Sequence, residues 1–230
     1  MKASMRIDIA GENALILYFA EVASEQSAAD VFAATQALEA LVGHGIIDLI
    51  PSYASLLVVY DDEYFDVYRM RYEITQRMQA ENQNFEAKES RTVELPVYYG
   101  TDAGPDLEAL AKQANLSVEE VIEIHQSQSY QVFAIGFAPG FAFLGEVDQR
   151  IAAPRKATPR KAVPKGAVAI ADRQTAVYPS VSPGGWNLIG LCPTAMFDAS
   201  ATPCMPVEVG DKVKFYAINK DEYLALGGEL

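Results

Sequence analysis

From Gly136 to Pro193 the chain reads GFAPGFAFLGEVDQRIAAPRKATPRKAVPKGAVAIADRQTAVYPSVSPGGWNLIGLCP, a run built of turns. It holds seven of the twelve prolines, seven of the fifteen glycines and the single tryptophan. Proline fixes φ and removes a backbone donor, and glycine permits positive φ, so this density specifies tight turns between short strands rather than long helices. Strand-like runs recur through and around it, at residues 130–135, 166–171, 175–178, 186–190 and, after the Gly210-Asp211 turn, 212–218. Many short strands punctuated by Gly and Pro predict a closed or nearly closed β-barrel.

Charge singles out the same region. Residues 146–179 carry seven Lys and Arg against three Asp and Glu, in a chain whose net charge is −13. The cations are Arg150, Arg155, Lys156, Arg160, Lys161, Lys165 and Arg173. Such an island creates a local positive potential that collects small anions, although it also fits a solvated loop balancing the acidic first 90 residues. A broad basic footprint is missing, which argues against nucleic-acid binding.

Working outward, a strand over 92–99 contains Pro96, which places it at an edge or a bulge. Pro105 opens a helix running to Asn115, and Ser117-Val118-Glu119-Glu120 is a capping box that starts a second, with His125 in its last turn. Further upstream, 5–9 and 14–19 pair across Gly11-Glu12-Asn13, and Ser24 caps a helix ending at Gly43. Strands over 46–50 and 55–60 follow, joined across Pro51-Ser52, and a helix is predicted over 63–81. This is a small α+β sandwich. The polar run NQNFEAKES over 82–90 reads as the linker between domains.

The composition is that of a folded domain pair, with 50% hydrophobic and 21% charged residues. No early apolar run has the length of a secretory signal and nothing approaches a membrane span, so a cytoplasmic chain is expected. Cys192 and Cys204 read as two reduced thiols, and they share no metal-ligand spacing with His44 or His125, so no metal is assigned.

Standard phosphate-loop, dinucleotide and nucleophile-elbow motifs are absent. What remains is Ser182-Pro183-Gly184-Gly185-Trp186, whose paired glycines can turn consecutive amides toward an oxyanion, or make a plain turn. Pro154-Arg155 and Pro159-Arg160 set guanidinium groups on stiff backbone, a chemistry suited to carboxylate or phosphate. Phe137, Phe141 and Phe143 alternate and either wall a pocket or fill the core. His125 is a catalytic candidate, or a charge cap at a helix C-terminus.

Together these motifs, with Gln174-Thr175 and Tyr178-Pro179, resemble the family of the B subunit of bacterial 5-oxoprolinase, also known as the KipI kinase-inhibitor or allophanate hydrolase subunit 1 family. The likeness runs from Gly11-Glu12-Asn13-Ala14-Leu15 to Gly210-Asp211. It implies a small α+β, ferredoxin-like domain over residues 1–88 and a cyclophilin-like β-barrel over 91–230. It also implies work with two partners, a homologous barrel chain (the C subunit) and the A subunit of 5-oxoprolinase. Together they would open 5-oxo-L-proline to L-glutamate with ATP, with or without Mg, at a site shared with a partner. On that reading Arg155 and Arg160 hold anionic oxygens and the amides of Gly184 and Gly185 cradle a phosphate or oxyanion. Gln174 and Thr175 orient the amide, Trp186 and Phe137 contact substrate, and His125 is the acid/base. The family resemblance also admits an inhibitor that binds a sensor histidine kinase and, third, a carboxyltransferase-like role.

Overall fold

The structure is a computed structural model that describes residues 5–22, 24–81 and 91–230. Its contacts divide the chain into two compact units, Met1–Glu89 and Ser90–Leu230. The linker expected over 82–90 lies outside the described residues.

In the first unit, β1 (Arg6–Ile9) and β2 (Ala14–Tyr18) form an antiparallel hairpin. Alternation along β2 turns Leu15 and Leu17 inward. Helix α1 (Glu25–Glu39) begins at Ser24, whose side chain accepts from the Ser27 amide while the Ser27 side chain accepts from the Ser24 amide. It buries Ala34 and Leu38 against the sheet's inward residues. Strands β3 (Ile46–Ser52) and β4 (Ser55–Tyr60) pair next, followed by α2 (Val67–Glu81). The sheet order is β1-β2-β4-β3, antiparallel throughout.

Three details depart from the sequence reading. Pro51 sits inside β3 opposite Leu56, because β3 is an edge strand where a missing donor is tolerated. Helix α2 begins four residues later than 63, because Asp61 accepts from the Glu63 amide and Asp66 from the Arg69 amide, making Asp66 the cap. The course ββαββα is not the βαββαβ of a ferredoxin-like domain, since each hairpin keeps consecutive strands adjacent.

The second unit opens with β5 (Thr92–Tyr98), α3 (Leu107–Ala114) and α4 (Val118–Ser127). Helix α3 stops at Asn115, which takes the left-handed conformation, and α4 starts with the Ser117–Glu120 capping box. Then come β6 (Ser129–Ile135), β7 (Ala142–Gly145), β8 (Arg160–Val163), β9 (Ala167–Ala171) and β10 (Gln174–Val177). The chain finishes with β11 (Ser182–Gly184), β12 (Asn187–Leu191), β13 (Lys212–Ile218) and α5 (Lys220–Ala225). Seven strands close a barrel in the order β10-β7-β6-β13-β5-β12-β9, and β8 and β11 form a separate ribbon. Pro96 lies opposite Tyr216 of β13; on its other side β5 meets β12 only at Tyr98, so no ladder bond is lost.

Every residue of β9 is buried, and its two faces serve different cores. Val168 and Ile170 join Leu95, Val132, Leu144 and Phe215 in the main core. Ala167, Ala169 and Ala171 face a second cluster holding Phe141, Tyr178 and Trp186. Small side chains on that face leave room for large rings.

Gly104, just before α3, is packed against the β12 backbone, where an added Cβ would lie 2.3 Å from the Ile189 carbonyl carbon and oxygen. Because the obstacle is main chain, Gly104→Ala is expected to destabilise the barrel unit by about 2–3 kcal/mol. Urea unfolding checks this, and an unchanged midpoint would show that β12 moves aside freely.

Candidate functional site

One buried carboxylate organises the region between α3 and the basic island. Asp106 is 4% exposed, and its Oδ1 accepts from Lys156 Nζ at 2.6 Å and from Arg160 Nη2 at 2.8 Å. Its Oδ2 accepts from the Leu188 amide at 2.8 Å, and the Asp106 amide returns a 3.0 Å bond to the Leu188 carbonyl. Arg160 Nη1 also comes within 2.8 Å of Oδ2 but off the hydrogen-bond axis, and it remains a sealed donor without a hydrogen-bond partner among the described residues. Burial alone would raise the Asp106 carboxyl, but the bonds from Arg160, Lys156 and the Leu188 amide outweigh it and hold the group below the usual carboxylate range.

The same knot places the double glycine. Gly184 pairs with Arg160 in the β8–β11 ribbon, and the Gly185 carbonyl accepts from the Lys156 amide at 2.7 Å. Neither Gly184 nor Gly185 has positive φ, so the alternating backbone that would aim successive amides at an oxyanion is absent there. Gly184 is required for a different reason: a Cβ would lie 2.3 Å from the Tyr178 hydroxyl.

Beside the knot lies an aromatic layer. Trp186 meets Phe141 edge-on at 5.7 Å, Phe141 meets Tyr178 edge-on at 5.1 Å, and Phe137 caps Phe141 at 5.3 Å. The Arg155 guanidinium stands 5.9 Å from the Trp186 ring centre, exposed and without an ion-pair partner among the described residues. Phe137 is 69% exposed and holds φ of +72°, a conformation unusual for a bulky side chain. With Ile135, Pro139, Gly140, Phe197 and Met205 it lines an open apolar hollow of about 480 Å³.

His125 and Thr175 lie elsewhere, both with no exposed surface. The imidazole bridges Tyr99 Oη, 2.7 Å from Nδ1, and Thr175 Oγ1, 3.0 Å from Nε2, and stacks on Phe215 at 4.8 Å. The Tyr130 hydroxyl donates to the His125 carbonyl. Burial pushes the imidazole down to about 3, so it is neutral near pH 7. The pair is thus sealed inside the barrel unit, where no exposed surface serves the acid/base and amide-orienting parts expected. Gln174 is half-buried at the start of β10, paired with Gly145 and Ala171.

Of the expected site residues, Arg155, Arg160, Gly184, Gly185 and Trp186 therefore converge, with Phe137 at the far edge through Phe141. Asp106, Lys156 and Tyr178 were not singled out by sequence as site residues. Asp106 and Tyr178 had the signal of standing beside a proline at a turn.

Comparison with known proteins places this arrangement. The family model described as carboxyltransferase domain, subdomain C and D, matches residues 5–207. A Bacillus subtilis (strain 168) protein named as the B subunit of 5-oxoprolinase is 40% identical over 237 aligned positions, covering 98% of each chain. The chain belongs to the 5-oxoprolinase B-subunit family. Among solved structures, TTHA0988 superposes with a TM-score of 0.80 at 35% identity over 90% of this chain. The chain spans 40% of that longer protein. The uncharacterized protein PH0987 from Pyrococcus horikoshii is 38% identical over 95% of this chain and all of its own, with a TM-score of 0.57.

Two outcomes follow for this member of the B-subunit family. Asp106→Asn removes the charge that holds Lys156 and Arg160 and is expected to destabilise the barrel unit by about 2–3 kcal/mol near neutral pH. A carboxyl with a depressed folded pKa stabilises above its unfolded value of about 3.9 and loses that contribution as pH falls through the folded value, so the variant's deficit shrinks in strong acid. Chemical unfolding at several pH values measures both. For His125, the unfolded chain takes up a proton below about pH 6.5 that the folded imidazole refuses until about 3, so wild-type stability declines across that window by up to about 1.4 kcal/mol per unit. His125→Gln should be less stable near pH 7 yet decline less steeply toward about pH 5. Equal slopes would show that the folded imidazole reaches solvent protons.

Proposed function

We propose that this chain is the B subunit of an ATP-dependent 5-oxoprolinase, a non-autonomous hydrolase component that works with the C and A subunits to open 5-oxo-L-proline to L-glutamate. The observation that carries the reading is the 40% identity with the Bacillus subtilis protein of that name over 98% of both chains. Preservation across two domains supports a shared working surface as well as a shared fold.

The lactam is a stable amide and a poor electrophile, so the reaction needs its carbonyl activated and its ring held still. This chain contributes the holding. Arg155 offers a guanidinium not tied to a carboxylate among the described residues, with the buried Trp186 ring beneath it, and Phe137 an apolar edge. The described residues do not fit ATP phosphates: Lys156 and Arg160 are bound to Asp106, and the double glycine lacks the backbone of an anion nest. Nucleotide binding is accordingly assigned to a surface that another chain of the complex completes.

The test is co-expression with candidate A and C subunits and measurement of L-glutamate released from 5-oxo-L-proline with and without ATP. Release is expected only when all three chains and ATP are present. Full turnover without this chain, or none from the complete set, would overturn the reading.

A further inference from the structure

We infer that the Tyr178 hydroxyl and the Arg155 guanidinium together form a receptor for the carboxylate of the ligand bound beside Trp186. The identity of that ligand as 5-oxo-L-proline rests on the proposed function; the receptor rests on the geometry.

Tyr178 is 2% exposed, yet its hydroxyl has no hydrogen-bond partner among the described residues. Nor is it one of the sealed, unpartnered polar atoms, which are Arg77 Nε and Arg160 Nη1. Buried tyrosines ordinarily satisfy their hydroxyl, and a phenylalanine would serve the packing alone. Gly184 is what admits the hydroxyl at this position, since any Cβ there would stand 2.3 Å from it. The charges of Arg155 and Arg160 both act on the phenol, which places it among cations. Burial, the largest influence, nonetheless raises its pKa, so it stays a protonated donor at neutral pH.

Of those two cations, Arg160 is engaged by Asp106, and Arg155 has no such partner among the described residues. One neutral O–H and one unengaged planar fork of N–H donors match a small carboxylate. A phosphate would be better served by the converging amides that Gly184 and Gly185 do not supply. Trp186, buried in the aromatic layer, lies under Arg155 and forms the floor beneath the guanidinium.

The reporter is built in, because Trp186 is the single tryptophan of the chain. Its fluorescence is followed while 5-oxo-L-proline, 2-pyrrolidinone (the same lactam ring without the carboxylate) or inorganic phosphate is added to the full chain and to the reconstituted complex. A saturable change is expected with 5-oxo-L-proline and none with 2-pyrrolidinone. Tyr178→Phe and Arg155→Met should each weaken 5-oxo-L-proline binding roughly tenfold or more and, in the complex, raise KM rather than lower kcat. Tyr178→Phe should keep the wild-type urea midpoint, because no intramolecular hydrogen bond is lost; a tyrosine kept for structure would shift that midpoint and leave KM alone. The receptor is overturned by equal responses to the two lactams, by phosphate saturating the site in their place, by no carboxylate-dependent signal in either form, or by both variants binding as wild type. Turnover with indistinguishable variants removes the receptor and leaves the proposed function. Carboxylate binding lost in the variants, in a complex that releases no glutamate, does the reverse.

Discussion

The barrel unit depends on one carboxylate that must not be left unpaired. Asp106 is 4% exposed, and a charge so placed is tolerated only when donors surround it. Its three donors come from three other parts of the chain: Lys156 from the proline-rich loop, Arg160 from β8, and the Leu188 amide from β12. The entry to α3, an irregular loop and a barrel strand are thereby tied at one point. The loop's other ties include main-chain ones, the Ala153–Asp172 bridge and the Pro154 carbonyl that accepts from Asn187. Once Arg160 is fixed, its pairing with Gly184 fixes the ribbon, and the Lys156 amide fixes Gly185.

The second constraint is volume. Strand β9 presents Val168 and Ile170 to one core and three alanines to the other, and this asymmetry makes room for Trp186, Phe141 and Tyr178 against the sheet. Each of those rings would be pushed outward if the alanine face carried branched residues. Thus the surface around Arg155 is rigid for two independent reasons, an ionic knot on one side and close-packed rings on the other. Such support is what holds an exposed guanidinium near a single position.

What was legible in the sequence was local. The capping box at Ser117, the helix stop at Asn115, the first hairpin and the barrel itself follow from patterns only a few residues long, because turns and caps are decided by near neighbours. The site depended on pairings 50 to 82 residues apart along the chain, which no window sees. His125 illustrates the gap: at a helix C-terminus it looks like a titrating group, and only burial under elements that bring in Thr175, Tyr99 and Phe215 makes it a neutral core residue. The double glycine shows the same gap. Its backbone is set by the ribbon pairing with Arg160, not by the conformational freedom that glycine brings. Phe137's positive φ left no mark in the sequence, where glycine or asparagine would be the usual signal.

The fate of the basic island narrows what this surface recognises. Arg150 pairs with Asp148, Arg173 with Glu146, and Lys156 and Arg160 share Asp106. Of the seven cations, Arg155, Lys161 and Lys165 remain without an ion pair among the described residues, and only Arg155 stands over an aromatic wall. An excess that looked like a field for small anions is therefore largely spent on holding the loop. With a Debye length of about 8 Å at physiological salt, dispersed lysines add little at the Arg155 position. Recognition there is short-ranged and set by individual donors, which favours a compact monoanion over a nucleotide or a nucleic-acid backbone.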